Sequence, residues 1–77
     1  MEIEIITFGK IAEFIHKQQL DCSGIADTDG LKVMLEKAYP ALANMKYKLA
    51  LNRNIVQDNL PIQNLDSVAI MPPFSGG

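Results

Sequence analysis

The chain has 77 residues, enough for one small domain and no more, and with 48% of them apolar that domain can hold a packed core. A net charge of −2 argues against a nucleic-acid partner, which calls for a basic patch, and no apolar run approaches membrane-spanning length. One cysteine makes no internal disulfide, and a reducing cytoplasm fits it. Glu2 and Glu4 stand where a secretory leader would carry basic residues, so no leader is expected.

Glu2-Ile3-Glu4-Ile5-Ile6-Thr7-Phe8 reads as a first strand with Ile3 and Ile5 turned to the core. Its other face changes character along the strand, because Ile6 and Phe8 share it with the two glutamates and need a cover. After Gly9, the spacing of Ile11, Phe14 and Ile15 predicts a short helix over 10–18, too short to stand without packing. Residues 20–25, with Cys22 and Gly24 among them, are expected to form a poor edge strand. Asp27 or Thr28 can cap the next helix, with Asp29 in its first turn. Leu31, Met34, Leu35 and Ala38 make its apolar stripe, Lys32, Glu36 and Lys37 its wet side, and Pro40 ends it.

Tyr47-Lys48-Leu49-Ala50-Leu51-Asn52 alternates again, with Leu49 and Leu51 inward. Asn52-Arg53-Asn54 then suits a tight turn into a short strand at Ile55-Val56. Leu60-Pro61-Ile62 and Leu65 are expected to cap the core. Ser67-Val68-Ala69-Ile70-Met71 is the last strand, with Val68 and Ile70 inward. The order predicts an α+β fold in which one main helix, joined by a short one, crosses a mixed sheet of four to five strands. The first and last strands are apolar enough to lie side by side at its centre, which is the β-grasp arrangement of ubiquitin. The same alternation turns Phe8, Ala50, Ala69 and Met71 outward, a patch of the kind that marks a partner site.

The chain closes on Met71-Pro72-Pro73-Phe74-Ser75-Gly76-Gly77. Two prolines cannot donate to a sheet ladder, so the chain is expected to leave the sheet as a stiff arm. A β-grasp domain over 1–72 and a flexible tail over 73–77 follow as the expected division. No packed core needs two glycines there. A bare α-carboxylate threaded through a narrow channel does, because glycine has no Cβ. A carboxylate is a poor electrophile until it is coupled to AMP as an acyl adenylate.

These residues resemble the small, sulfur-carrier subunit of molybdopterin synthase, the MoaD type, along the whole length of the chain. The most specific part is the last strand with Pro72-Pro73-Phe74-Ser75-Gly76-Gly77. Ile6-Thr7-Phe8-Gly9-Lys10-Ile11-Ala12-Glu13, Ala38-Tyr39-Pro40 and Leu51-Asn52-Arg53-Asn54-Ile55-Val56 support it. Ala12 departs from the arginine common in that family, and Gln63-Asn64-Leu65-Asp66 from its Asp-Gly-Asp. The resemblance implies a ubiquitin-like fold and a subunit with no catalytic side chain of its own. It implies that a MoeB-type enzyme spends ATP to adenylate the carboxylate of Gly77, next to Gly76, and that a sulfur donor protein converts it to a thiocarboxylate. It implies delivery of that sulfur to cyclic pyranopterin monophosphate inside a large catalytic subunit, within a heterotetramer. No cofactor would stay bound to this chain. The matching partner-binding positions are Phe8, Ile55, Met71, Pro72, Pro73, Phe74 and Ser75.

Other residues carry less chemistry. Cys22 has no helix N-terminus or base beside it and reads as an inert thiol. His16 has no second histidine for a metal or a proton relay, and no ligand cluster has metal spacing. Asp27 and Asp29 read as helix-start residues, Met34 and Met45 as core filler, and Gly9 and Gly24 are too sparse for a phosphate loop. The competing functions are a thiazole-pathway sulfur carrier, a ubiquitin-like protein modifier joined to lysines, and a plain binding module.

Overall fold

Alternating side chains build the two central strands, β1 (Glu2–Thr7) and β5 (Ser67–Met71). Ile3, Ile5, Val68 and Ile70 turn to one side and are all but removed from solvent. The strands lie side by side and parallel, with Ile5 opposite Val68 and Thr7 opposite Ile70. A parallel pair needs a crossover, and here the remaining elements supply it. The computed structural model describes residues 1–72. Its sheet has five strands in the order β2-β1-β5-β3-β4, the β-grasp arrangement expected from the sequence. β2 (Gln18–Asp21) is antiparallel to β1, β3 (Lys48–Leu51) is antiparallel to β5, and β4 (Asn54–Ile55) closes a hairpin with β3. Among the described residues no helix is long and apolar enough to cross a membrane.

The main helix, α1 (Thr28–Ala38), starts where the sequence says it should. Asp27 is the cap, and its Oδ1 accepts from the Gly30 N–H at 2.9 Å. That bond, then one from Asn59, holds the Asp27 carboxyl below the usual carboxylate range. Leu31 and Leu35, one turn apart, bury against the sheet in one cluster with Ile3, Ile5, Leu49, Val68 and Ile70. Tyr39 leaves the helical region at φ −130°, as the residue before a proline must. Pro40 then opens a second, four-residue helix, α2 (Pro40–Ala43), which the sequence reading did not foresee; proline suits a first helical position, and Leu42 from this turn is fully buried.

Thr28 is the buried polar residue of the core. Its hydroxyl donates to Asn59 Oδ1 at 3.2 Å and accepts from the Leu60 N–H at 3.0 Å. Asn59 Oδ1 also accepts from the Asp29 N–H, and its amide donates to Asp27. The loop before β5 is thereby fastened to the start of α1. Thr28→Val keeps the volume but leaves Leu60 N–H without this partner, so it is expected to cost about 1–3 kcal/mol. Urea denaturation followed by circular dichroism measures it.

Four further details depart from the sequence reading. The predicted helix over 10–18 is a 3₁₀ helix over Gly9–Glu13. Ile11 and Ile15 reach the core as expected, but the chain must straighten early because Gln18 already pairs with Ile5 in the sheet. The edge strand is therefore Gln18–Asp21 rather than 20–25; beyond it Asp21 Oδ1 accepts from the backbone N–H and the hydroxyl of Ser23, and Gly24 turns the chain at φ 85°. Ala38, expected on the apolar stripe, is exposed at the end of the helix. Leu65 does not cap the core: its backbone sits at φ 70°, pinned by its N–H on the Glu2 carbonyl, and its side chain is 72% exposed. Of the residues expected to cap the core, Ile62 is buried in the core cluster.

Candidate functional site

The face of the sheet turned away from α1 has no helix laid over it among the described residues. Ile11 of the 3₁₀ helix and Ile15 just after it enter the same core as Ile3 and Ile5, not the outer face. Cross-strand register then fixes what that face displays. Ile6 lies opposite Ala69, Ala69 opposite Ala50, and Ala50 opposite Ile55. Four apolar residues from four strands thus form one row across the sheet. Phe8 and Met71 stand beyond it, toward the end where the chain leaves β5. On the other side Glu4 lies opposite Ser67, whose hydroxyl donates to Glu4 Oε1 at 3.2 Å and whose N–H donates to Asn52 Oδ1 at 2.9 Å.

Ile6, Ala69 and Ala50 of this row floor a shallow groove of about 430 Å³, lined also by Glu4, Phe8, Asn52, Arg53 and Ser67. Small residues keep the floor low. Ala50 faces this side as the alternation requires, yet is only 5% exposed at the bottom of the groove. Phe8 and Ile55 are 49% and 43% exposed, large apolar side chains of the kind that anchor an interface. Met71 and Pro72 are half-buried. The structure therefore gathers Phe8, Ile55 and Met71 on one sheet face, with Pro72 following Met71. The remaining site residues expected from the sequence, Pro73, Phe74, Ser75, Gly76 and Gly77, lie outside the described residues. Glu4, Asn52, Arg53 and Ser67, the polar side of the groove, were missed. Only strand register brings them together, and the spacing within each strand carries no sign of it.

Two backbone positions set the edges of this face. Asn52 and Arg53 form the two-residue β3–β4 turn with φ of 49° and 74°. Asparagine tolerates this; an arginine there costs about 1 kcal/mol. Gly9, at φ 60°, lies under the departing chain, and a Cβ placed there would meet Pro72 Cγ at 3.0 Å. Gly9 is thus needed both for its backbone and for the close approach of Pro72 beside Phe8. Gly9→Ala is expected to lower stability by about 1–2 kcal/mol from backbone strain alone. It is also expected to displace Pro72, visible as amide shifts at Phe8 and Met71 in an NMR spectrum.

Titratable groups elsewhere are structural. Burial, then the neighbouring Asp21 carboxylate, pushes the Cys22 thiol up, away from the thiolate a nucleophile needs. Tyr47 donates to Glu36 Oε2 at 2.5 Å, and burial followed by that bond raises its phenol well above the usual range. Among the described residues no group of three or more His, Cys, Asp or Glu could hold a metal ion.

Comparison with known proteins adds to this geometry. The ThiS family pattern matches residues 5–77. The chain is 34% identical to the molybdopterin synthase sulfur carrier subunit of Chlamydomonas reinhardtii, over all of both chains. SAMP1 from Haloferax volcanii superposes on it with a TM-score of 0.77 at 22% identity, all of each chain being covered. So does a chain from the complex of subunits 1 and 2 of molybdopterin-converting factor from Helicobacter pylori 26695, with a TM-score of 0.73 at 22% identity and the same coverage. At such identities the two structures bear on the fold, which is the ubiquitin-like β-grasp.

Proposed function

The chain belongs to the ThiS family, and from that premise we propose that it is the sulfur-carrier subunit of a molybdopterin synthase. One observation carries the reading: the likeness to the algal sulfur carrier subunit extends over the full length of both proteins, and the family match reaches Gly77.

The reacting group is then the α-carboxylate of Gly77. On a MoeB-type activating enzyme it attacks the α-phosphate of ATP, pyrophosphate leaves, and an acyl adenylate forms. The outer sulfur of a donor protein's persulfide displaces AMP to give an acyl disulfide. A thiol then attacks the donor-side sulfur, forming a new disulfide and leaving the thiocarboxylate on Gly77. Its sulfur is anionic and a strong nucleophile at neutral pH, so this chain needs no side chain to activate it. In the large catalytic subunit that sulfur is passed to cyclic pyranopterin monophosphate, water returns Gly77 to a carboxylate, and two rounds complete the dithiolene. Proton transfers fall to the partner. ATP is consumed at the activating enzyme, and this chain retains no cofactor. The work is cytoplasmic.

The body's share is delivery. The apolar row with Phe8, Ile55 and Met71 is the docking face for the large subunit, and Pro72 to Ser75 lead the glycines into its pocket. The reading is tested by capturing partners on the tagged chain in extract of its own source. A pterin-binding large subunit is expected. A thiazole synthase, or a ladder of lysine conjugates, in its place contradicts it.

A further inference from the structure

The second residue of the β3–β4 turn is Arg53, at φ 74°, where a turn of this type favours glycine. Turn chemistry gives no reason for an arginine there. Its side chain lines the outer-face groove and makes no ion pair among the described residues. The other charges of that face are set by register. Lys48 stands opposite Met71 and projects to the same side, so the β3–β4 flank of the apolar row carries two cations. Glu2 and Glu4 share the outward side of β1, on the opposite flank. Asp66 lies near the turn but is engaged, its carboxylate accepting from Asn52 Nδ2 at 3.0 Å and from the Gln63 N–H at 2.8 Å. The face is apolar in the middle, cationic along one side and anionic along the other.

We propose that Arg53 is an orientation-determining residue whose guanidinium pairs with a carboxylate of the docked large subunit. The proposal rests on the reading of the outer face as the docking surface. Apolar contact is not directional, so a flat row of Ile6, Ala69, Ala50 and Ile55 can be met in either of two senses. A guanidinium presents a planar fork that matches a carboxylate. A partner with an acid on the Arg53 side and a base toward Glu4 is attracted in one sense and repelled in the other. Only one sense points the chain leaving Pro72 at the pocket that must receive it. Because such steering acts before contact, it appears in the association rate and in its response to salt.

The experiment measures association of the cognate large subunit with the wild type, Arg53→Gln, Arg53→Glu, Arg53→Gly and Phe8→Asp by stopped-flow fluorescence. Runs are made at about 50 mM and about 500 mM NaCl, either side of strong screening. Arg53→Gln is expected to associate about tenfold more slowly at low salt, Arg53→Glu more slowly still, and both to converge on the wild type at high salt. Arg53→Gly is expected to melt higher than the wild type yet associate as slowly as Arg53→Gln, which separates the charge from the turn. Wild-type rates for Arg53→Glu at both salts, with Phe8→Asp failing to bind, overturn the role of Arg53 and leave the docking face standing. Wild-type binding by Phe8→Asp overturns the docking face and the proposal with it.

Discussion

A chain ending at Gly76 is expected to fold as the full chain does and to support no sulfur transfer. The fold should survive because every buried residue of the described core lies at or before Ile70. Activity should vanish although the shortened chain still ends in a glycine carboxylate. Losing one residue draws the reacting group back by about 3.3–3.6 Å along an extended chain. Reacting atoms must approach to about 3–3.5 Å, and a misplacement near 1 Å is enough to cost about 100-fold. A side chain at Gly76, as in Gly76→Val, should give the same loss by blocking a narrow passage. Circular dichroism and thermal melting check the fold, and product formation in the reconstituted synthase checks the loss.

The second large effect is expected at Phe8. Phe8→Asp places a carboxylate within the proposed interface, beside the point where the chain leaves β5, and burying an unpaired charge there is costly. Binding to the large subunit should weaken by about 100-fold or more, roughly 3 kcal/mol, as for an aromatic anchor. Stability should change by no more than about 0.5 kcal/mol, because half of the Phe8 side chain faces solvent and it lies outside the core cluster. Calorimetric titration against the large subunit, beside a thermal melt of the variant alone, separates the two. A variant that melts normally and binds normally removes Phe8 from the interface.

Much of this was legible in the residues because it rests on short periods. Two-residue alternation at Ile3 and Ile5, and at Val68 and Ile70, marks both central strands and their inner faces, and so gives Phe8 and Met71 as outward without further help. Ile55 came with the family resemblance rather than with a pattern. The 3.6-residue period of Leu31 and Leu35, with Asp27 before it and Pro40 after, marks the main helix. What escaped depends on contacts distant in sequence. The 3₁₀ helix ends early because Gln18 pairs with Ile5. Leu65 is exposed because its backbone is tied to Glu2, sixty-three positions away. The polar side of the groove is assembled from Glu4, Asn52, Arg53 and Ser67 on three elements. A pattern within one strand holds none of this. The C-terminal glycines, proposed as the reacting end and the part the sequence announces most plainly, lie outside the described residues.

The central claim is that sulfur is carried on the α-carboxyl of Gly77, and intact-mass spectrometry tests it most directly. The purified chain is incubated with its activating enzyme, ATP and a sulfur donor, then weighed and fragmented. The account predicts a product in which one oxygen has been replaced by sulfur, localised to Gly77, that reverts on exposure to the large subunit and the pterin substrate. An unchanged terminus while the activating enzyme is turning over ATP, or sulfur found on Cys22 instead, contradicts it.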